Sequence, residues 1–257
     1  MRIHFLYMLF GIAVVSAQFL SCGGSGDNPA KRMVLRIGTD ATYPPFETVD
    51  VETGKPSGFD IDLITLVCEV NGWKPEFIVT PFDGMIPGLQ GKKYDVAISA
   101  MTITPERAAA VDFSEPYYLA GQTIAVPLEE NNISKPDDLK GKRVGAQLGT
   151  TGEMMAKRIA EAQVFSFDNI GAAFLDMANG HLDAVLNDFP TTRAYIKSHP
   201  TAKTVGEILS REQYGIALRK GDTELRIEVN AALAKLKADG RYRQLHIKWF
   251  DSSPVGE

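Results

Sequence analysis

Three stretches of the sequence place residues with binding chemistry at the start of a helix. In SAMTITPERA (residues 99–108), Thr104 fits the cap of a helix, Pro105 its first residue and Glu106 its first turn. Arg107 does not fit. A cation in the first turn faces the positive end of the helix dipole and the unpaired N–H groups. Either its head turns into solvent, or something negative sits between it and the helix end. A planar guanidinium suits a carboxylate through two parallel charge-assisted bonds. In LDAVLNDFP, Asp188 ends an apolar run just before Pro190, so its carboxylate can cap a helix, bind a cation, or do both. In GTTGE, Thr150 and Glu153 have the spacing of a capping box, which leaves the N–H of Thr151 and Gly149 free to face outward. No Ser–His–Asp constellation or metal-type Cys/His spacing accompanies them, and His4, His181, His199 and His246 are isolated in sequence.

The elements that must hold these residues alternate between strand and helix. MVLRIGTD reads as a strand, FDIDLITLVCEVNGW as a helix ending near Gly72, KPEFIVTPF as a strand, GMIPGLQGKK as a short helix and YDVAISAM as a third strand. Buried strands alternating with helices predict an α/β unit with a largely parallel sheet. The pattern restarts with the strands QTIAVPL and KGKRVGAQL and the helix EMMAKRIAEA. GLQGKKYDVAISAMTITP and FLDMANGHLDAVLNDFP then echo each other: a helix stop at Gly91 or Gly180, an aspartate at 95 or 183, an apolar strand, polar residues, and a proline at 105 or 190. Two similarly built lobes follow. EQYGIALRKG reads as one strand, and the helix ELRIEVNAALAKLKADG carries Leu225, Val229, Leu233 and Leu236 on one stripe. YRQLHIKWF places Leu245 and Trp249 on one face. This last segment rejoins the first lobe, with crossings near AGQTIA and REQYG.

The chain has 257 residues, 44% of them hydrophobic, and a formal net charge of −5, enough for a full core in one large domain or two modest ones and with no basic footprint for nucleic acid. Residues 1–22 stand apart: Arg2 leads an apolar run that ends at Ser21-Cys22. This reads as an export signal of lipoprotein type, with Cys22 as the lipidated residue, and a Gly-rich tether follows over residues 23–32. An ordinary cleaved signal or an uncleaved anchor are the other readings. All three put the remainder outside the cytoplasmic membrane. Cys68, within an apolar helical stripe, reads as a small core residue.

At GFDIDLITLVCEVN the chain resembles the extracellular solute-binding proteins of family 3, the polar amino-acid class. Gly58, Phe59, Asp60, Ile61, Asp62 and Leu63 fit its signature, and the match continues through TPFDGMIPGLQ, YDVAISAMTITPERAAAVDFSEPYY, GTTGE, LDAVLNDFP, QYGIAL and KWF. Among members it is most similar to glutamine-binding proteins. The resemblance implies the periplasmic-binding-protein type II fold: mixed, mostly parallel sheets in two α/β lobes joined by two hinge strands. Lobe 1 would be residues 33–119 and 214–251, and lobe 2 residues 120–213. It implies a monomer in the periplasm or at the cell surface, without metal or cofactor. That monomer would capture glutamine or another polar or cationic L-amino acid by hinge closure and hand it to the membrane subunits of an ABC importer.

The resemblance also implies a site. Arg107, the Thr102 hydroxyl and the backbone of the TIT turn would hold an α-carboxylate, with Thr150 and Thr151 closing on it from the second lobe. Asp188 would take the ammonium, Ala100 lies where relatives offer a backbone carbonyl, and Ser99 belongs to the same ligand-binding set. Tyr43 and Phe82 would sandwich the aliphatic part, and Asp40, Gln147 and Asn187 would face the side chain. Gln147 and Asn187 stand where glutamine binders carry a lysine and a histidine. Their neutrality removes positive charge from the pocket and leaves a neutral polar ligand, or a cationic one paired with Asp40. Two rivals share the fold. A cyclohexadienyl-dehydratase-like enzyme would need an acid where this chain has Thr191, and a receptor's sensing module would be expected to continue beyond the seven residues that follow Phe250.

Overall fold

The computed structural model describes residues 33–254; the export signal, the tether and Cys22 lie outside the described residues. The first lobe opens with β1 (Val34–Thr39), a small hairpin of β2 (Thr48–Val49) and β3 (Pro56–Ser57), and α1 (Phe59–Asn71). β4 (Lys74–Val79), α2 (Met85–Gln90), β5 (Val96–Ala97), α3 (Pro105–Ala110) and β6 (Val111–Phe113) follow. The chain leaves along β7 (Tyr118–Ala120) and builds the second lobe. That lobe holds β8 (Gln122–Pro127), β9 (Arg143–Gln147), α4 (Thr151–Ala156), β10 (Gln163–Phe167), α5 (Ile170–Ala178), β11 (Ala184–Asp188), α6 (Phe189–Ser198) and β12 (Ala202–Val205). It returns along β13 (Glu212–Tyr214) to β14 (Ala217–Arg219), α7 (Thr223–Ala238) and α8 (Arg241–Phe250).

Two five-stranded sheets result, in the orders β4-β1-β5-β14-β6 and β10-β9-β11-β8-β12. In the first, β1 runs parallel to β4 and β5, while β14 is antiparallel to β5 and β6. In the second, β9 is parallel to β10 and β11, and β8 is antiparallel to β11 and β12. The two crossing segments pair with each other as an antiparallel ribbon, with Glu212 opposite Ala120 and Tyr214 opposite Tyr118. The fold is therefore mixed α/β with two lobes. Two β-strands crossing together confine relative motion of the lobes more than one linker would.

Packing explains the local elements. α1 buries Phe59, Leu63, Ile64 and Val67, and its C-terminal Gly72 takes the left-handed conformation at φ 70. Leu225, Val229, Leu233 and Leu236 line the buried side of α7 as their spacing predicts. Leu245 is buried, whereas Trp249 turns its indole N–H to Asp62 at 2.9 Å. Cys68 is fully buried and free, with burial pushing its thiol up to about 12. At the root of the ribbon, Tyr118 stacks on Tyr214 and on His246, each with ring centroids 5.6 Å apart.

Three sequence expectations change. YDVAISAM forms a strand only at Val96–Ala97, because Ala100 turns to φ 44 and gives its N–H to Asp60 instead of to a neighbouring strand. The helix expected over EMMAKRIAEA ends at Ala156, because Ile159 and Ala162 fold back onto the second lobe's core and lead into β10, a strand with no sequence assignment. EQYGIALRKG is two strands, since the chain passes from the ribbon into the first sheet at Gly215. A Cβ there would lie 2.8 Å from Ile103.

Candidate functional site

The functional side chains lie at the carboxyl ends of the strands, where open α/β sheets collect ligands. Asp40 follows β1, Ser99 follows β5, Gln147 ends β9 and Asp188 ends β11. They surround a narrow cleft between the lobes, lined by side chains from both.

Arg107 is not in solvent. Thr104 caps α3 by accepting the Arg107 backbone N–H at 3.2 Å, and Pro105 follows in the first turn. The buried guanidinium donates Nη1 to the Thr102 carbonyl at 2.7 Å and Nη2 to the Gly149 carbonyl of the second lobe at 3.0 Å. Its carbon lies 5.2 Å from the Phe82 ring centroid, so the ring supports the cation's flat face. Burial lowers its pKa, and the charges of Asp188 and Glu212 oppose that shift. Thr102 gives its one hydroxyl proton to Glu212 Oε2 at 2.6 Å, and Thr151 gives its own to the same oxygen at 2.8 Å.

Asp188 occupies the cap position of α6 but makes no side-chain capping bond. Its oxygens instead accept from Gln122 Nε2 and the Tyr214 hydroxyl. Burial, reinforced by Glu212, raises it to about 7. Asp40 accepts from the Thr42 hydroxyl at 2.6 Å and, across the cleft, from Gln147 Nε2 at 2.8 Å; burial raises its pKa. Thr150 caps α4 by accepting the Glu153 N–H at 3.2 Å. The reciprocal half of the expected box is shifted: the Glu153 carboxylate takes the Gly149 N–H at 3.0 Å rather than that of Thr150.

The structure brings together Asp40, Tyr43, Phe82, Ser99, Ala100, Thr102, Arg107, Gln147, Thr150, Thr151 and Asp188 around this one cleft. It does not bring Asn187 to the cleft wall. That residue is buried behind Tyr43, accepts its hydroxyl at 2.6 Å, and spends its amide N–H groups on Thr192 Oγ1 and the Asp188 carbonyl. Asn187 therefore orients Tyr43 instead of facing a ligand. Two acids were missed. Glu47, in the turn-rich PPFETV, lines the cleft and accepts the Ser99 hydroxyl. Glu212, in the polar REQYG, stands on the ribbon and links the lobes through two threonines. Their sequence surroundings read as exposed turn and linker, and only the fold buries them. Among the described residues lining the cleft, Arg107 is the one cation, against Asp40, Glu47 and Asp188.

A model of the bacterial extracellular solute-binding proteins, family 3, matches residues 35–252. The chain is 36% identical over 244 residues to the ABC transporter arginine-binding protein 1 of Escherichia coli (strain K12), covering 92% of this chain and 98% of the relative. It is 47% identical to the structure of an ancestral arginine-binding protein bound to arginine, with a TM-score of 0.83 over 85% of this chain and 99% of the other. An ancestral amino acid-binding protein described as a precursor of cyclohexadienyl dehydratase matches with a TM-score of 0.80 at 43% identity, over 84% and 95% of the two chains. None of these relatives is named a glutamine-binding protein, although an ancestral arginine-binding protein bound to glutamine also matches, with a TM-score of 0.81 at 46% identity over 86% and 99% of the two chains.

Proposed function

The chain belongs to the bacterial extracellular solute-binding proteins of family 3, and we propose that it captures a cationic L-amino acid for an ABC importer. The observation that carries this reading is the unequal number of acidic and basic side chains lining the cleft, with Arg107 set against Asp40, Glu47 and Asp188. Arg107 and the backbone of the 102–104 turn suit an α-carboxylate, and the helix end that disfavours the arginine alone favours it once that anion lies between them. Asp188 suits the α-ammonium. Asp40, held from the other lobe by Gln147, suits a second positive charge at the side-chain end. The arginine named for the relatives agrees with that charge pattern.

Capture works by closure. Each lobe supplies part of the ligand's polar partners, so a ligand that bridges them stabilises the closed form, and one that touched a single lobe would shift nothing. The position three residues beyond Asp188 is Thr191, which cannot serve as a general acid, so we read the cleft as a binding site without turnover. We further propose that Cys22 carries a lipid that tethers the protein outside the cytoplasmic membrane, which labelling with a radioactive fatty acid would reveal.

The test is a thermal-shift screen of protein unfolded and refolded to strip carried-over ligand, against the twenty amino acids. A ligand at ~100 times its dissociation constant adds about 2.7 kcal/mol, a shift of several degrees. Arginine or lysine should lead. A screen led by glutamine would move the assignment to a neutral polar ligand, and turnover of prephenate would overturn the binding reading.

A further inference from the structure

A second pair of acids lies beneath the Ser99–Ala100 turn. Glu47 and Asp60 are both 0% exposed. The Ser99 hydroxyl donates to Glu47 Oε1, and the Ala100 N–H and Tyr117 O–H donate to Asp60 Oδ2 at 2.7 and 2.8 Å. Glu47 Oε2 and Asp60 Oδ1 remain, each buried and each without a donor. Two full carboxylates with bare inner oxygens are costly in an interior. One proton placed between them supplies a donor to one oxygen and neutralises half the charge.

The surroundings offer no other compensation. Asp40 faces Glu47 from the loop after β1, and Tyr117 and Tyr118 face Asp60 from the start of the ribbon. His246 of α8 stacks on Tyr118 and bonds the Ser252 carbonyl. Among the described residues no lysine or arginine pairs with either acid, and Arg107 donates to the Thr102 and Gly149 carbonyls, not to Glu47 or Asp60. Burial and mutual repulsion hold the Glu47 carboxyl above the usual range, and burial raises Asp60 to about 7.

We propose that Glu47 is a further specificity-determining residue of the cleft: it shares a proton with Asp60 until a ligand's cationic end arrives, and then faces that end as a carboxylate. The proposal rests on the cationic reading above. The O–H bond breaks, its electron pair stays on the carboxylate, and the proton leaves to the buffer. The ligand's positive charge takes the proton's place, so the buried net charge is unchanged. A neutral side chain of the same shape cannot displace the proton and forgoes this contact.

L-Arginine and L-citrulline carry the same α groups and differ at the side-chain end, so protons released from Asp188 are common to both. Calorimetric titration of each ligand in two buffers of different ionisation enthalpy, near pH 7, reads the protons released. In the wild-type protein arginine should release more than citrulline. Glu47→Gln should lose that excess and narrow the arginine-to-citrulline affinity ratio about tenfold. Equal release by the two ligands in the wild-type protein overturns the proposal even if the variant does not fold. An excess that survives in Glu47→Gln assigns the proton to Asp40 and also overturns it. Arginine that fails to bind the wild-type protein overturns the cationic reading, and this proposal with it.

Discussion

Gln147 of the second lobe donates its side-chain amide to Asp40 of the first at 2.8 Å. The acid proposed for the ligand's distal end is thus oriented from across the cleft. Asp40→Asn keeps the shape and the bond to Gln147's side of the cleft but removes the charge. Arginine affinity should fall about 10- to 100-fold, the scale of one buried charge-assisted contact, while glutamine affinity changes little. Titration of both ligands against the variant checks this.

Arg107→Ala should abolish binding, at a cost of about 3 kcal/mol or more, because the ligand carboxylate loses its charge partner while buried. Arg107→Lys should recover little, since a point charge cannot reach both the Thr102 and Gly149 carbonyls and lie flat on Phe82. Near-normal affinity in the alanine variant would mean that the carboxylate end lies elsewhere.

Glu212 Oε2 accepts hydroxyls from Thr102 of one lobe and Thr151 of the other. This oxygen joins the lobes at the ribbon and favours closure before any ligand contributes. Glu212→Ala should shift the ligand-free protein toward the open form, seen as a larger radius of gyration in solution scattering. Affinity should fall in proportion to the lost closed population. An unchanged radius in both states would show that the two bonds do not bias closure.

The buried acids set a pH dependence. Asp60 and Asp188 stand near 7 in the fold, against about 3.9 for a free aspartate. Between those values the folded protein keeps protons that the unfolded chain has lost, so stability falls as pH rises through that window and levels off above it. The melting temperature of ligand-free protein should drop by several degrees from pH 5 to pH 8. Saturating arginine should reduce that drop, because its positive charges favour the ionised acids. A ligand-free melting temperature that climbs over the same range would contradict the assignment.

Much of this was legible in the sequence, for identifiable reasons. Arg107 stood out because local rules predict against a cation in that turn, and a residue that breaks a local rule is often explained by a site. Helix stops and strand ends carried the positions of Gly72, Asp40 and Asp188. Glu47 and Glu212 were illegible because their neighbours are polar and turn-forming, and only the closing of the hairpin and the ribbon buries them. Asn187 sits beside Asp188 in sequence, yet strand alternation points adjacent side chains to opposite faces, which sends its amide to the back of Tyr43. The exposed pattern of β10 hid a strand that only its pairing with β9 defines. The single-strand reading of EQYGIALRKG failed because a sequence does not show where a chain changes sheet.

The most direct measurement is calorimetric titration of refolded wild-type protein with L-arginine and, separately, with L-glutamine. The account predicts one-to-one binding of arginine with a dissociation constant of about 1 μM or tighter, and glutamine at least tenfold weaker. Glutamine that binds as tightly as arginine, or arginine that gives no binding heat at any temperature, would contradict it.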